Sequence, residues 1–285
     1  MPIFRIIPTI GALLAEAAKN LEQISVSARL DAELMLAFVL DKPRSYLFSH
    51  ADEQPDEERY DIFTGMVHRR AQGEPLAYIT GRREFWSMDL VVNRHTLIPR
   101  PDTEVLVEQV LACLDASPRR LLDLGTGSGA IALALAKERP QDTVVATDVS
   151  ADALSVARYN ASRLELTNVE FALGSWFEAV SGQRFDLVAS NPPYVAHGDP
   201  HLQEDGLPYE PVTALVAGSD GLDAIRLLAT ESPGHLHPGG SLFMEHGYDQ
   251  AEQVAQILAE AGFTDIRHHP DLAGIQRVSS GKWPG

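Results

Sequence analysis

The stretch that most constrains this 285-residue chain is one uninterrupted run, Arg120-Leu121-Leu122-Asp123-Leu124-Gly125-Thr126-Gly127-Ser128-Gly129-Ala130. A short apolar strand ends on a loop with glycine at every second position and passes straight into a helix over 130–138. Glycine supplies positive φ and lets a ligand approach the backbone closely. The first turn of the helix behind it leaves N–H groups without partners. A structural tight turn needs no three alternate glycines, so the loop predicts a cofactor-binding turn.

The pattern around this loop predicts an α/β fold. Apolar strands at 120–124, 143–147, 169–173, 185–189 and 240–245 alternate with helices at 103–115, 130–138, 151–163, 219–231 and 249–261. Two last strands, near 263–268 and 274–279, bring the count to seven. Short apolar strands separated by helices indicate a mostly parallel sheet covered on both faces, a Rossmann-like arrangement.

Ahead of it, residues 1–75 read as a small helical domain. Ile10, Leu13, Leu14, Ala17, Ala18 and Leu21 form a helical stripe, Ser27 is placed to cap a second helix, and Tyr60, Phe63, Val67 and Ala71 share one face of a third. Residues 76–98 hold β-prone pieces, Tyr78–Gly81, Glu84–Trp86 and Leu90–Val92, and predict a β-hairpin linker before a domain spanning 99–285.

Charge is uneven. Residues 1–98 carry 11 basic and 14 acidic side chains; residues 99–285 carry 12 and 26. The second region repels free nucleic acid over most of its surface. The pairs Arg69-Arg70 and Arg82-Arg83 read as solvated faces. The single cysteine, Cys113, falls in a helical apolar pattern and is expected to be buried; it allows no intrachain disulfide and no cysteine-cluster metal site. The scattered His197, His201, His235, His237, His246, His268 and His269 are expected to be solvated rather than metal ligands. Neither a targeting segment nor a membrane-length apolar run is evident, so a cytoplasmic monomer is the expectation.

The loop alone fits two cofactors. Ala130 satisfies the last position of the dinucleotide fingerprint, and Asp148, ending the second strand, suits a ribose in either case. The absence of a following Gly-Lys-Ser/Thr excludes the phosphate loop of nucleotide triphosphatases. Asn191-Pro192-Pro193-Tyr194 decides the matter. It follows the fourth strand, so it faces the same crevice as the glycine loop. An amide nitrogen is a poor nucleophile, because its lone pair is delocalised into the carbonyl. The Asn191 side-chain carbonyl and the Pro192 backbone carbonyl are acceptors able to hold its N–H groups. The prolines fix φ and remove competing donors, and Tyr194 offers a flat face to a planar group. This constellation points to methyl transfer from S-adenosyl-L-methionine to a planar amide or amine nitrogen. A sulfonium methyl is already electrophilic, so no metal or covalent intermediate is needed.

Gly73-Glu74-Pro75, Arg83–Trp86, Leu97–Glu104, Asp123–Ala136, Trp176-Phe177, Ser190–Tyr194 and Glu245-His246-Gly247 together resemble the bacterial release-factor glutamine methyltransferases, the PrmC/HemK family, over nearly the whole chain. The resemblance implies a class I methyltransferase fold and methylation of the Gln in the Gly-Gly-Gln motif of peptide chain release factors. By position, Gly125, Thr126, Gly127, Ser128 and Gly129 are implied to line the methionine end of the cofactor, Asp148 to hold the ribose and Trp176 to lie near the adenine. Asn191, Pro192, Pro193 and Tyr194 are implied to bind the glutamine amide, with Asn191 bordering the cofactor and Arg100 at the pocket wall. Ser175 departs from the family, where an acidic residue is common. The tetrapeptide is shared with adenine methyltransferases of DNA or RNA, the rival reading, against which the acidity of residues 99–285 argues. A non-catalytic cofactor module has no need of Asn191 and Pro192, and a dehydrogenase lacks its catalytic base.

Overall fold

The computed structural model describes residues 6–203 and 206–285, so residues 1–5 of the expected helical domain lie outside the described residues. The chain divides into two compact units, one ending at Gly81 and the other running from Arg82 to Gly285. No helix among the described residues is long and apolar enough to cross a membrane.

The first unit holds α1 (Ile10–Leu21), α2 (Ala28–Leu40), α3 (Arg44–Ser49), α4 (Glu57–Ala71) and α5 (Leu76–Thr80). Ile10, Leu13, Leu14, Ala17 and Leu21 of α1 are buried against Met35, Leu36, Phe63 and Val67. Asp56 caps α4 by accepting from the Arg59 N–H at 2.8 Å. Acidic residues in the first turn of α4 and basic ones in the last complement its dipole. Ser27 stands at the start of α2, but its hydroxyl donates to the Asp31 carboxylate instead of capping the backbone. Arg70 does not lie on a solvated face: its guanidinium bonds Asp31 at 2.8 Å and ties α4 to α2. Arg69 pairs with Glu74 at 2.5 Å. Leu76–Thr80 is a helical turn rather than a strand, closed by Gly81 at φ 71°.

The second unit opens with the hairpin β1 (Arg82–Phe85) and β2 (Met88–Val91). Trp86 and Ser87 both take left-handed conformations, φ 52° and 51°, as a two-residue hairpin turn demands. The hairpin is not a free linker. Phe85, Met88 and Leu90 are buried in the same core as Leu106, Val107 and Leu121. Arg82 pairs with Asp89, and Arg83 donates to the Pro99 carbonyl at 3.2 Å.

Next come α6 (Thr103–Cys113), β3 (Arg120–Leu124), α7 (Ala130–Glu138), β4 (Thr143–Asp148), α8 (Ala151–Arg163), β5 (Val169–Leu173) and β6 (Phe185–Ser190). They are followed by α9 (Asp223–His235), β7 (Leu236–Glu245), α10 (Ala251–Glu260), β8 (Thr264–Pro270) and β9 (Gln276–Lys282). The seven-stranded sheet has the order β5-β4-β3-β6-β7-β9-β8, parallel except for β9, which runs antiparallel to both neighbours. The chain steps outward from β3 to β5 and then crosses to β6 on the other side of β3. That reversal opens a crevice at the carboxyl ends of β3 and β6. Cys113 is exposed rather than buried, because α6 ends there and Leu111 and Leu114, not Cys113, extend its packing on the core.

Asn160 of α8 locks the hairpin to the glycine loop. It is fully buried, accepts from the Val91 N–H at 2.8 Å, and donates to the Val91 and Ser128 carbonyls, both at 2.9 Å. Asn160→Ala strands three backbone groups, the Ser128 carbonyl among them fully buried. It is expected to lower the free energy of unfolding by about 2–4 kcal/mol, read from urea denaturation; an unchanged midpoint would remove Asn160 from this role.

Candidate active site

Four strand ends converge on one cavity. Leu124, the last residue of β3, is in register with Ser190 of β6 on one side and Thr147 of β4 on the other. The Ser190 hydroxyl donates to the Leu124 carbonyl at 2.7 Å, so the two chains leave the sheet side by side as Gly125 and Asn191. The Gly125 and Thr126 N–H groups both bond the Thr147 carbonyl, at 2.9 and 2.8 Å, which folds the loop back over β4. Gly125, Gly127 and Gly129 all have positive φ. At Gly129 a side chain is also excluded by space, since a Cβ would lie 2.9 Å from the Leu133 side chain.

A cavity of about 250 Å³ is bounded by Gly125, Gly127, Asp148, Ser175, Trp176, Asn191 and Pro193, with Val149 and the segments His95–Leu97 and 211–214 completing the wall. Thr126, Ser128 and Gly129 shape the loop from behind. The Thr126 hydroxyl donates to Asp123 at 2.7 Å, the Ser128 carbonyl is held by Asn160, and Gly129 packs on α7. Asp148 accepts from the Gly127 N–H and the Ser150 N–H, each at 2.9 Å, which fixes its carboxylate at the cavity edge. Trp176 follows β5 with φ 45°, a conformation that costs a bulky residue energy and marks a constrained position. Val149, apolar yet two-thirds exposed, stands on the same wall.

A second cavity, of about 290 Å³, is lined by Arg100, Tyr194, Val195, Leu207 and Leu215, and shares Leu97, Asn191 and Ala214 with the first. Asn191 therefore stands on the wall between the two. Pro192 is buried beneath it. The Asn191 side-chain N–H donates to the Thr103 hydroxyl at 3.1 Å, and the Tyr194 hydroxyl donates to Glu245 at 3.2 Å. Tyr194 keeps its proton, because burial, then the charge of Glu245, drives its pKa upward. Its carbonyl accepts from Gln250 at 3.0 Å over Gly221, where a Cβ would come within 2.2 Å of that carbonyl. Arg100 does not offer a free charge. It pairs with Glu210, whose side chain is wholly buried and also accepts from the Ile98 N–H at 3.0 Å. That clasp draws the 207–215 segment over both cavities.

Two buried carboxylic acids support the site from behind, through Thr126 and Tyr194. Asp123 accepts from the Thr126 hydroxyl and, at 3.1 Å, from the Ala132 N–H, while its Oδ1 is buried without a partner. Burial pushes its pKa up to about 7, against those two donors and helped by the charge of Asp148. Glu245 is likewise buried, with Oε2 unpartnered. Burial raises it to about 7; the Thr103 and Tyr194 hydroxyls and Arg277 pull it down, and Asp102 pushes it up.

The sequence singled out no role for Thr103, Val149, Glu210 or Glu245. Thr103 and Glu245 stood inside motifs, but a role for either depends on a contact between distant segments. Among the histidines, His246 corrects the expectation of solvation. It is fully buried between the Ser279 hydroxyl, 2.8 Å from Nε2, and the Gly247 carbonyl, 2.9 Å from Nδ1, because its N–H, directly after β7, still bonds the Arg277 carbonyl of β9 at 2.9 Å.

Comparison with known proteins places both units. Residues 12–81 match the family model of the PrmC N-terminal domain, and residues 101–204 match that of the methyltransferase small domain. The chain is 50% identical to the release factor glutamine methyltransferase of Xylella fastidiosa (strain Temecula1), over 98% of this chain and 99% of that one. It is 44% identical to the release factor glutamine methyltransferase of Escherichia coli (strain K12), over 95% and 97% of the two chains. Among solved structures, the T. thermophilus 16S rRNA N2 G1207 methyltransferase in complex with AdoMet and guanosine shares the fold. The TM-score is 0.51 and the identity 19%, over 71% of this chain and 49% of that one.

The buried acids make stability pH-dependent. A raised pKa means that the folded state holds a proton the unfolded state has lost, so stability falls as pH rises from about 4.5 to about 7. Glu245→Gln cannot ionise. The stability of this variant relative to the parent chain is expected to grow across that window, by up to about 3 kcal/mol, and to level off above it. Urea denaturation from pH 4 to 9 checks this; a pH-independent difference would mean that folding leaves the Glu245 pKa at its ordinary value.

Proposed function

We infer, from the premise that this chain belongs to the release factor glutamine methyltransferase family, that it transfers a methyl group from S-adenosyl-L-methionine to the side-chain amide of the Gln in the Gly-Gly-Gln motif of peptide chain release factors. The observation that carries the reading is the position of Asn191 on the wall shared by two cavities, one beside the glycine loop and one beside Tyr194.

The first cavity fits the cofactor. The Asp148 carboxylate suits paired ribose hydroxyls, and the exposed apolar face of Val149 with the Trp176 ring suits an adenine. The unpaired oxygen of Asp123 puts negative potential behind the loop, where an ammonium belongs. Ser175 offers a neutral hydroxyl where relatives often carry an acid. When bound, the cofactor supplies an electrophilic methyl on a sulfonium.

The second cavity takes the glutamine side chain. The Asn191 and Pro192 carbonyls accept the two amide N–H groups and hold the nitrogen with its lone pair toward the first cavity, and Tyr194 covers the planar group. Positioning is the main source of rate in such a site. The product nitrogen then releases its extra proton to solvent. Arg100, with its charge spent on Glu210, acts by holding the wall rather than by meeting the substrate's charge. The helical unit, which carries no reactive constellation, serves recognition of the protein substrate. The enzyme works as a monomer in the cytoplasm and does not bind free nucleic acid, given the excess of acidic residues over 99–285.

Labelled methyl transfer to three release-factor variants, with Gln, Asn or Glu in the motif, is expected to mark the Gln protein alone. Glu has no N–H to donate, and Asn is one methylene too short. Labelling of an adenine-rich single-stranded oligonucleotide instead would favour the adenine enzyme. Asn191→Ala is expected to cut turnover ~10²-fold or more in a folded protein. Asp148→Ala is expected to weaken cofactor binding by about 2 kcal/mol in calorimetry; unchanged affinity would displace Asp148 from the ribose.

A further inference from the structure

The basic side chains of residues 99–285 are almost all engaged. There are 12 of them against 26 acids. Among the described residues, every one but two holds a carboxylate, a backbone carbonyl or an aromatic ring. The two are Arg267 and Lys282, and both line the same cavity, of about 440 Å³. In a region with twice as many acids as bases, two unpaired cations at one cavity point to an anion from outside the chain.

The strands bring them together. Side chains alternate between the faces of a sheet, so Ser280 and Lys282 of β9 share a face, and the register sets Lys282 opposite Ser241 of β7. A bulge in β8 between Thr264 and Arg267 brings Arg267 opposite Ser280, and His269 follows on the same face. α6 lies over β7, β9 and β8 and ends at Cys113, which forms part of the facing wall. Arg119, just before β3, stands at the rim. The cavity thus lies towards the amino ends of the parallel strands, away from the crevice, and shares no lining residue with the two cavities there.

The other polar groups define what the cavity takes. Arg119 adds little charge, since Asp115 holds it at 2.9 Å and Asp186 at 3.4 Å. Burial, then the charge of Arg267, lowers the His269 pKa, so its imidazole is neutral near pH 7; it bonds the Ser280 hydroxyl at 2.9 Å. One acid, Asp265, shares the wall. Two free cations match a phosphate monoester, which carries about two negative charges and accepts charge-assisted bonds. A lone carboxylate beside them suits a hydroxyl on the same ligand. The volume is that of a small-molecule site. We propose that this cavity is a second ligand site, which takes a phosphorylated, hydroxyl-bearing small molecule with Arg267 and Lys282 on the phosphate and Asp265 on a hydroxyl. The site stands independently of the methyl-transfer reading.

The test uses the chain's single cysteine. Cys113 is exposed and lines the cavity, with Sγ 3.9 Å from the Ser241 hydroxyl, so its alkylation by iodoacetamide reports occupancy. The alkylation rate of the full-length protein is measured at fixed ionic strength with millimolar ribose 5-phosphate, inorganic phosphate or ribose. Ribose 5-phosphate is expected to slow alkylation ~5-fold or more, inorganic phosphate less, and ribose not at all. Arg267→Gln and Lys282→Gln, which break no contact within the fold, are each expected to lose most of this protection. Arg226→Gln removes a cation paired with Asp220 elsewhere and is expected to keep it. Asp265→Asn, which tolerates the same left-handed backbone at φ 48°, is expected to bring the sugar phosphate down to the level of inorganic phosphate. No protection by either phosphate compound would overturn the proposal. Protection that survives in both Arg267→Gln and Lys282→Gln would overturn it as well. Equal protection of the parent chain by inorganic phosphate and the sugar phosphate would overturn the assignment of a hydroxyl to Asp265.

Discussion

The parallel pairing of β3 with β6, held in register at Leu124 and Ser190, is the constraint on which the rest of this protein depends. The two segments that carry the chemistry are 66 residues apart in sequence, and their approach rests on that register. The Ser190 hydroxyl on the Leu124 carbonyl closes the pairing at the point where both chains leave the sheet. A shift of one residue would turn the buried Leu122 and Val188 toward the opposite face and rotate Asn191 away from the glycine loop. The apolar strands, each with side chains buried on both faces, make that shift costly. The core thus stabilises the fold and aligns the site through one set of contacts.

Much of this was legible because parallel strands buried on both faces read as unbroken apolar runs, and glycine at alternate positions has few structural uses. Helices α7 and α8 were bounded to the residue, since glycine and Ser150 mark their starts. What escaped reading is what depends on partners far away in sequence. The hairpin is β-prone but looks like a linker until Phe85, Met88 and Leu90 are seen in the core of the second unit. Its turn lacks the Asn-Gly signature and uses Trp86 and Ser87 instead, with Glu104 accepting the Trp86 N–H at 2.8 Å. Arg70 and Arg83 are structural for the same reason: their partners, Asp31 and the Pro99 carbonyl, are 39 and 16 residues away. Cys113 and His246 were misplaced in opposite senses, the one by a helix that stopped and the other by a bond from the end of β7 across to Arg277 of β9.

The acidic excess of the second unit takes on a different meaning once its carboxylates are located. Several are not surface charge at all. Asp123, Asp142, Glu210 and Glu245 are buried, and each anchors backbone or hydroxyl donors rather than facing solvent. Asp142 holds the Arg119 N–H at 3.0 Å and Arg139 at 2.8 Å, steadying the turn before β4. Glu210 steadies Ile98 and Arg100, and Glu245 steadies Tyr194. A carboxylate is an efficient organiser of a loop-rich crevice, because it accepts several bonds at once and each is strengthened by its charge.

Two of these acids are costly to the fold. Asp123 and Glu245 each leave one oxygen buried and unpaired, which disfavours the charged form in a low-dielectric interior. Burial accordingly raises both pKa values to about 7, so each acid keeps its proton into the neutral range instead of holding a bare buried charge. What each acid contributes is local: Asp123 holds the Thr126 hydroxyl and the Ala132 N–H and ties the glycine loop to the start of α7, while Glu245 holds the Tyr194 hydroxyl and ties the loop after β6 to the end of β7. The two segments that border the cavities are thus fixed at their bases by acids whose own contribution to stability weakens as pH rises.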